Sequence, residues 1–256
     1  MIFFIKTKGQ LNTSTDSLSK YSYFIYGDKN GNTIEQGTGF FLRASNNKLF
    51  FVTTAHLITS WNYRKNKRSY SPIKTFYVRL YNKTDTSIYF LPINAYQCTK
   101  TLNKGYAFQY PDLCFIEENL ADKYFVNEIR IDEKNYPIED KIGDITIFGY
   151  PVNKSIRDRY SYMRLSPSKS TGELGYDYSK KLYWLKQKKY DSLNYQISVA
   201  TGECKGGMSG SPVFYEVNGK VLFGGMCILG DEVNRYLYAL RPEYIITELE
   251  NRAKKM

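Results

Sequence analysis

The stretch Gly206-Gly207-Met208-Ser209-Gly210-Ser211-Pro212-Val213-Phe214 decides how this 256-residue chain is read. A serine enclosed by glycines predicts a tight turn that exposes the serine oxygen. Glycine lets the backbone approach closely and leaves N–H groups able to face a developing negative charge. A Gly-x-Ser-Gly string alone is most often just a turn. Its continuation makes it more specific: Pro212 opens an apolar run over 213–217, Asn218-Gly219 follows, and a second apolar run covers 221–228. Asn-Gly between two such runs is a strong two-residue hairpin signal. The serine turn is therefore expected to lead straight into a β-hairpin.

A nucleophilic serine needs a base, and the chain has a single histidine. His56 ends the run Phe50-Phe51-Val52-Thr53-Thr54-Ala55-His56. Histidine is the side chain whose ordinary pKa lies near neutrality, so a mechanism that requires neutral imidazole has one candidate here. The imidazole in turn needs an acid to orient it. Pro111-Asp112-Leu113-Cys114-Phe115-Ile116 offers an aspartate at the start of a short apolar run. Asp85 and Asp122 also lie between His56 and Ser209, the first in a turn-like string and the second opening no apolar run.

Further strand-like runs occur at 21–26, 37–42, 48–54, 73–81, 88–96, 113–117, 145–150 and 195–200, with Asn46-Asn47 as a second hairpin turn. The 25 Tyr and 15 Phe favour β-structure over helical bundles. One segment differs. Pro242 followed by Ile245, Ile246 and Leu249 on one helical face predicts a C-terminal helix running to about Arg252. Residues 120–142 read as a charged connection between two β-rich halves. Residues 152–190, rich in Ser, Lys and Tyr, read as surface loops on the second half.

An apolar content of 42% provides for a substantial core. The net charge of +11 comes from dispersed basic residues, the densest stretch being Arg64-Lys65-Asn66-Lys67-Arg68, which disfavours nucleic acid as a partner. No stretch approaches the ~18 apolar residues of a membrane span. The run Met1-Ile2-Phe3-Phe4-Ile5 is too short for a secretory core. A cytoplasmic protein without membrane contact is expected. Cys98, Cys114, Cys204 and Cys227 form no CxxC pair, and one histidine leaves little for zinc. A disulfide is open but not indicated; free thiols in a reducing compartment are the expectation, with no metal and no cofactor.

Taken together, these motifs resemble those of the chymotrypsin-like (trypsin-fold) serine peptidases, in their bacterial intracellular branch. Thr53-Thr54-Ala55-His56 resembles the family's histidine motif, Pro111 to Ile116 its aspartate motif, and Gly207 to Pro212 its serine motif. The chain order His, Asp, Ser is that of the family. Gly37-Thr38-Gly39-Phe40-Phe41 is similar to the strand before the histidine, and Gly143 to Pro151 to the opening strand of the second barrel. The resemblance runs from about Tyr21 to the C-terminal helix. It implies two six-stranded antiparallel β-barrels with a C-terminal helix, residues 1–130 carrying His56 and Asp112 and residues 131–256 carrying Ser209.

The resemblance also implies roles. Ser209 would be the nucleophile, His56 the general base and Asp112 its orienting acid. The N–H groups of Gly207 and Ser209 would form the oxyanion hole. Ile228-Leu229-Gly230 would pair with substrate as an added strand. Glu203 falls where trypsin-like members place an acid at the base of the S1 pocket, which would favour Lys or Arg. The absence of a second histidine argues against an acid-selecting pocket. Met208 stands where digestive members carry an aspartate that receives a new N-terminal amine, so activation by N-terminal insertion is not expected. The implied activity is limited cleavage of a cytosolic protein or peptide partner, with a regulatory or defence-system protein as a further partner. The alternative is a catalytically silent binding module on the same scaffold.

Overall fold

The computed structural model describes residues 15–29, 32–62, 67–72, 75–93, 112–120, 123–130, 144–152, 159–175 and 194–255. Among the described residues ten strands lie in the first half: β1 (Tyr23–Lys29), β2 (Asn32–Arg43), β3 (Leu49–Thr53), β4 (Thr59–Asn62), β5 (Lys67–Pro72), β6 (Thr75–Asn82), β7 (Ile88–Ile93), β8 (Cys114–Glu118), β9 (Tyr124–Phe125) and β10 (Glu128–Arg130). Six follow in the second half: β11 (Ile145–Gly149), β12 (Ser168–Gly175), β13 (Asn194–Thr201), β14 (Pro212–Val217), β15 (Lys220–Asp231) and β16 (Tyr236–Leu240). A 14-residue helix, Pro242–Lys255, closes the described chain.

The second half is a closed barrel in the order β11-β12-β13-β16-β15-β14. The first half holds a curled sheet, β7-β6-β1-β2-β3-β8, with β9 against β6 and β10 against β2, and a separate two-stranded sheet, β4-β5. Among the described residues the curled sheet is not closed, because β7 and β8 are its two ends. The β10–β2 pairing is parallel. The all-β architecture expected from the sequence is present, with one unit closed and the other curled.

The strands around the site have no polar face, and the reason is that each serves two cores. In β3, Leu49 and Phe51 point into the interior of the first unit, while Phe50 and Val52 point towards the second. Phe41 and Phe40 divide in the same way along β2, as do Ile116 and Phe115 along β8. In the barrel, Val213 and Tyr215 face its interior and Phe214 faces the first unit. Successive side chains of a strand point to opposite sides, so an unbroken apolar run marks a strand sandwiched between cores. The shared core includes Phe40, Phe50, Phe115, Phe214, Phe223 and Met226.

The helix adds Ile245, Leu249 and Ala253, spaced by four residues, to that core. It also grips the β2–β3 turn. The Ser45 amide donates to Glu250 Oε1 at 2.8 Å, its hydroxyl to Oε2 at 2.5 Å, and Asn46 Nδ2 to the Ala253 carbonyl at 2.9 Å.

Three expectations need correction. Residues 168–175, read as surface loop, form β12 of the closed barrel. The connection at 120–142 contains β9 and β10. Cys114 is disulfide-bonded, so the four thiols are not all free, and the cysteine argument for a reducing compartment falls with that. Cys204 and Cys227 are free and buried, and Cys98 lies outside the described residues. Among the described residues no helix is long and apolar enough to cross a membrane.

Candidate active site

His56 sits in a single helical turn, Ala55–Ile58, that starts directly after β3 and Thr54. Ala55, Leu57 and Ile58 are buried and pin the turn, which leaves His56 partly open to solvent. Asp112 lies two residues before β8, the strand paired with β3 through Thr53 and Cys114. That pairing brings aspartate and histidine together. Asp112 Oδ2 is 2.5 Å from His56 Nδ1, and Oδ1 accepts the His56 backbone N–H at 2.8 Å. The carboxylate thus holds both the ring and its backbone. An Nδ1–H donated to Asp112 fixes the tautomer with Nε2 unprotonated. Of the other two acids, Asp85 is exposed in a turn, its carboxyl held below the ordinary range by the Ser87 hydroxyl and amide. Asp122 lies outside the described residues.

The serine turn joins β13 to β14. Ser209 is 6% exposed and lies between Gly207 (φ 91°) and Gly210 (φ 86°). A side chain at Gly210 would put Cβ 1.9 Å from the Thr38 carbonyl and 2.6 Å from Thr53 Oγ1, three residues before His56. The close approach of the serine turn to the histidine strand therefore depends on glycine. The Ser209 hydroxyl donates to the Ile228 carbonyl at 3.3 Å. The amides of Gly207 and Ser209 donate no hydrogen bond among the described residues.

Ile228 is the residue at which the β15–β16 register slips, between Cys227 and Leu229. Such a bulge re-aims the local backbone. Leu229 and Gly230 pair with β16, whereas the pairing of β15 with β14 ends at Met226. The other edge of 228–230 therefore has no strand on it among the described residues. The Cys204 carbonyl lies against Gly230, so the segment after Glu203 and this strand face each other. Glu203 itself is not a buried acid. Its side chain is 41% exposed and pairs with Lys205 Nζ at 3.2 Å. Met208 is fully buried in the barrel core, in one cluster with Ile145, Ile147 and Val213.

Neither free thiol is a candidate nucleophile. Burial raises the Cys204 thiol above its ordinary range and pushes Cys227 up to about 12, which keeps both protonated and unreactive. No cluster of His, Cys, Asp and Glu able to hold a metal occurs among the described residues.

Solved structures share this architecture. A serine endoprotease from Yersinia pestis superposes with a TM-score of 0.54 over 94% of this chain and 67% of its own, at 14% identity. A catalytically inactive tobacco etch virus protease, complexed with substrate, matches over 94% of this chain and 87% of its own at 12% identity and a TM-score of 0.47. The tobacco vein mottling virus protease matches over 91% and 81% at 13% identity, again with a TM-score of 0.47. At these identities the likeness is one of fold, and the Yersinia pestis enzyme carries it: the chain has the chymotrypsin-like fold. No protein-family model and no curated protein sequence matches the chain.

Proposed function

We propose that this chain is a serine endopeptidase working through Ser209, His56 and Asp112. The observation that carries the reading is the two-point grip of Asp112 on His56, beside a glycine-flanked serine with two amides that no described residue engages. A substrate segment adds to the open edge at 228–230, and its N–H takes the Ile228 carbonyl in place of the Ser209 hydroxyl. The hydroxyl then turns to His56 Nε2, an alignment that apo sites commonly reach only with substrate bound.

Ser209 Oγ attacks the scissile carbonyl carbon and its proton passes to Nε2. The carbonyl oxygen becomes an oxyanion facing the Gly207 and Ser209 amides. The tetrahedral species collapses, the C–N bond breaks, and the amine leaves with the proton from His56. Water, deprotonated by the same imidazole, then releases the acyl group and restores Ser209. Asp112 stabilises the imidazolium throughout.

The natural substrate is proposed to be a protein partner cleaved at few sites. A Lys or Arg at P1 would reach Glu203 only in competition with Lys205. Incubation with a proteome digest, followed by sequencing of the new N-termini, tests both points. New termini from the wild type and none from Ser209→Ala are expected. The residue preceding each terminus reads the P1 preference. Wild-type protein that generates no termini between pH 6 and 9 and takes no fluorophosphonate on Ser209 contradicts the proposal and favours a silent binding module.

A further inference from the structure

Thr38 is fully buried at the junction of the two units and is not one of the three residues that do the chemistry. Four hydrogen bonds converge on it. Its hydroxyl oxygen accepts the Tyr150 backbone N–H at 2.9 Å. An amide N–H can only donate, so the hydroxyl proton is left for the Gly207 carbonyl, 2.8 Å away. Its own N–H donates to the Ser209 carbonyl at 3.1 Å. Its carbonyl accepts the Thr53 hydroxyl at 2.8 Å. One residue thus ties the serine turn at two points, the end of β11, and the strand that leads to His56.

These bonds fix peptide planes. In a trans peptide the C=O and N–H point in opposite directions. The Val152 amide holds the Gly206 carbonyl at 2.7 Å, which turns the Gly207 N–H to the opposite side. Thr38 holds the next plane through the Gly207 carbonyl. A Cβ at Gly207 would lie 2.3 Å from the Tyr150 carbonyl, so the turn rests directly on residues 150–152. Tyr150 is anchored in turn. Buried Arg79 donates from Nη2 to the Tyr150 hydroxyl at 3.0 Å and from Nη1 to the Tyr162 carbonyl at 2.6 Å.

We infer that the Thr38 hydroxyl is a positioning group that holds the Gly207–Ser209 amides in their oxyanion-binding orientation, with Met208 leaving no charge in the turn to do so. The inference rests on the proposed peptidase reading. It goes beyond packing, because a methyl group of the same size would fill the space but leave Tyr150 N–H and Gly207 C=O without partners.

The test compares Thr38→Val, Thr38→Ala and Thr38→Ser for the second-order rate of labelling by a fluorescent fluorophosphonate, at a temperature where circular dichroism shows each folded. Loss of a single oxyanion-hole donor lowers turnover by about 10²–10³-fold. Thr38→Val is expected to label on the order of 10²-fold more slowly, with the midpoint of the pH–rate profile unchanged because His56 and Asp112 are untouched. Thr38→Ser keeps the hydroxyl and is expected within about threefold of wild type. Should the valine variant not fold, Thr38→Ala decides, since it removes the hydroxyl without adding bulk. A folded variant without the hydroxyl that labels as fast as Thr38→Ser overturns the inference. Wild-type protein that does not label at all overturns the peptidase reading instead.

Discussion

Both carboxylate oxygens of Asp112 are taken by one residue, and this makes the aspartate sensitive to an isosteric change. Asparagine has one acceptor oxygen and one amide donor. If the oxygen keeps the His56 backbone N–H, the NH₂ group faces Nδ1 and favours the tautomer with the proton on Nε2, which cannot act as base. Asp112→Asn is therefore expected to fold normally and to lose about 10⁴-fold in turnover, measured by steady-state peptide hydrolysis. His56→Ala removes the base the mechanism requires, and no other histidine can replace it, so the same assay is expected to show a loss of similar size. Glu118 gives a pH signature in stability. Burial pushes its carboxyl up to about 7 from 4.5. The folded state thus holds its proton more tightly than the unfolded chain does. Stability is unaffected below about pH 4.5 and falls as pH rises towards 7. Glu118→Gln is expected to be more stable than wild type by about 2–3 kcal/mol at pH 8 and equal to it at pH 4, read by urea unfolding.

At the level of elements, the strands with two buried faces were legible and the ones built by their surroundings were not. β3, β8, β11 and β14 carry continuous apolar runs, and the Asn218-Gly219 turn has both residues at positive φ (53° and 72°), as the hairpin signal requires. β12 reads Ser-Lys-Ser-Thr-Gly-Glu-Leu-Gly and offers almost no apolar alternation. It is a strand because closing the barrel between β11 and β13 demands one, an example of context outweighing propensity. The same limit applies at the site. His56, Asp112 and Ser209 stand in recognisable strings. The role of Thr38 rests on bonds to partners more than a hundred residues away, and only the fold reveals them. The C-terminal helix was legible from its apolar face, and its contribution divides by burial. Leu249→Ala, at a fully buried position of the shared core, is expected to cost about 2–5 kcal/mol. Glu250→Ala breaks exposed bonds to Ser45 and is expected to cost at most about 1 kcal/mol. Chemical denaturation of the two variants checks the contrast.

Across the whole molecule, one core belongs to both units. Phe40, Phe50 and Phe115 from the curled sheet meet Phe214, Phe223 and Met226 from the barrel, and the helix covers them. The serine turn and the histidine strand lie on this same seam, linked through Thr38. Units that share a core and a site in this way are expected to unfold together. Calorimetry should show a single transition, and Phe223→Ala should reduce stability by about 3–5 kcal/mol without splitting it. Two separate transitions would mean that each unit is stable without the other. The central claim is that the seam is an acylating serine site, and covalent capture tests it most directly. Wild-type protein treated with a fluorophosphonate at pH 8 should gain one adduct, mapped by mass spectrometry to Ser209, that is absent from Ser209→Ala and strongly slowed in His56→Ala. No adduct on wild type, or an adduct that persists in Ser209→Ala, would contradict it.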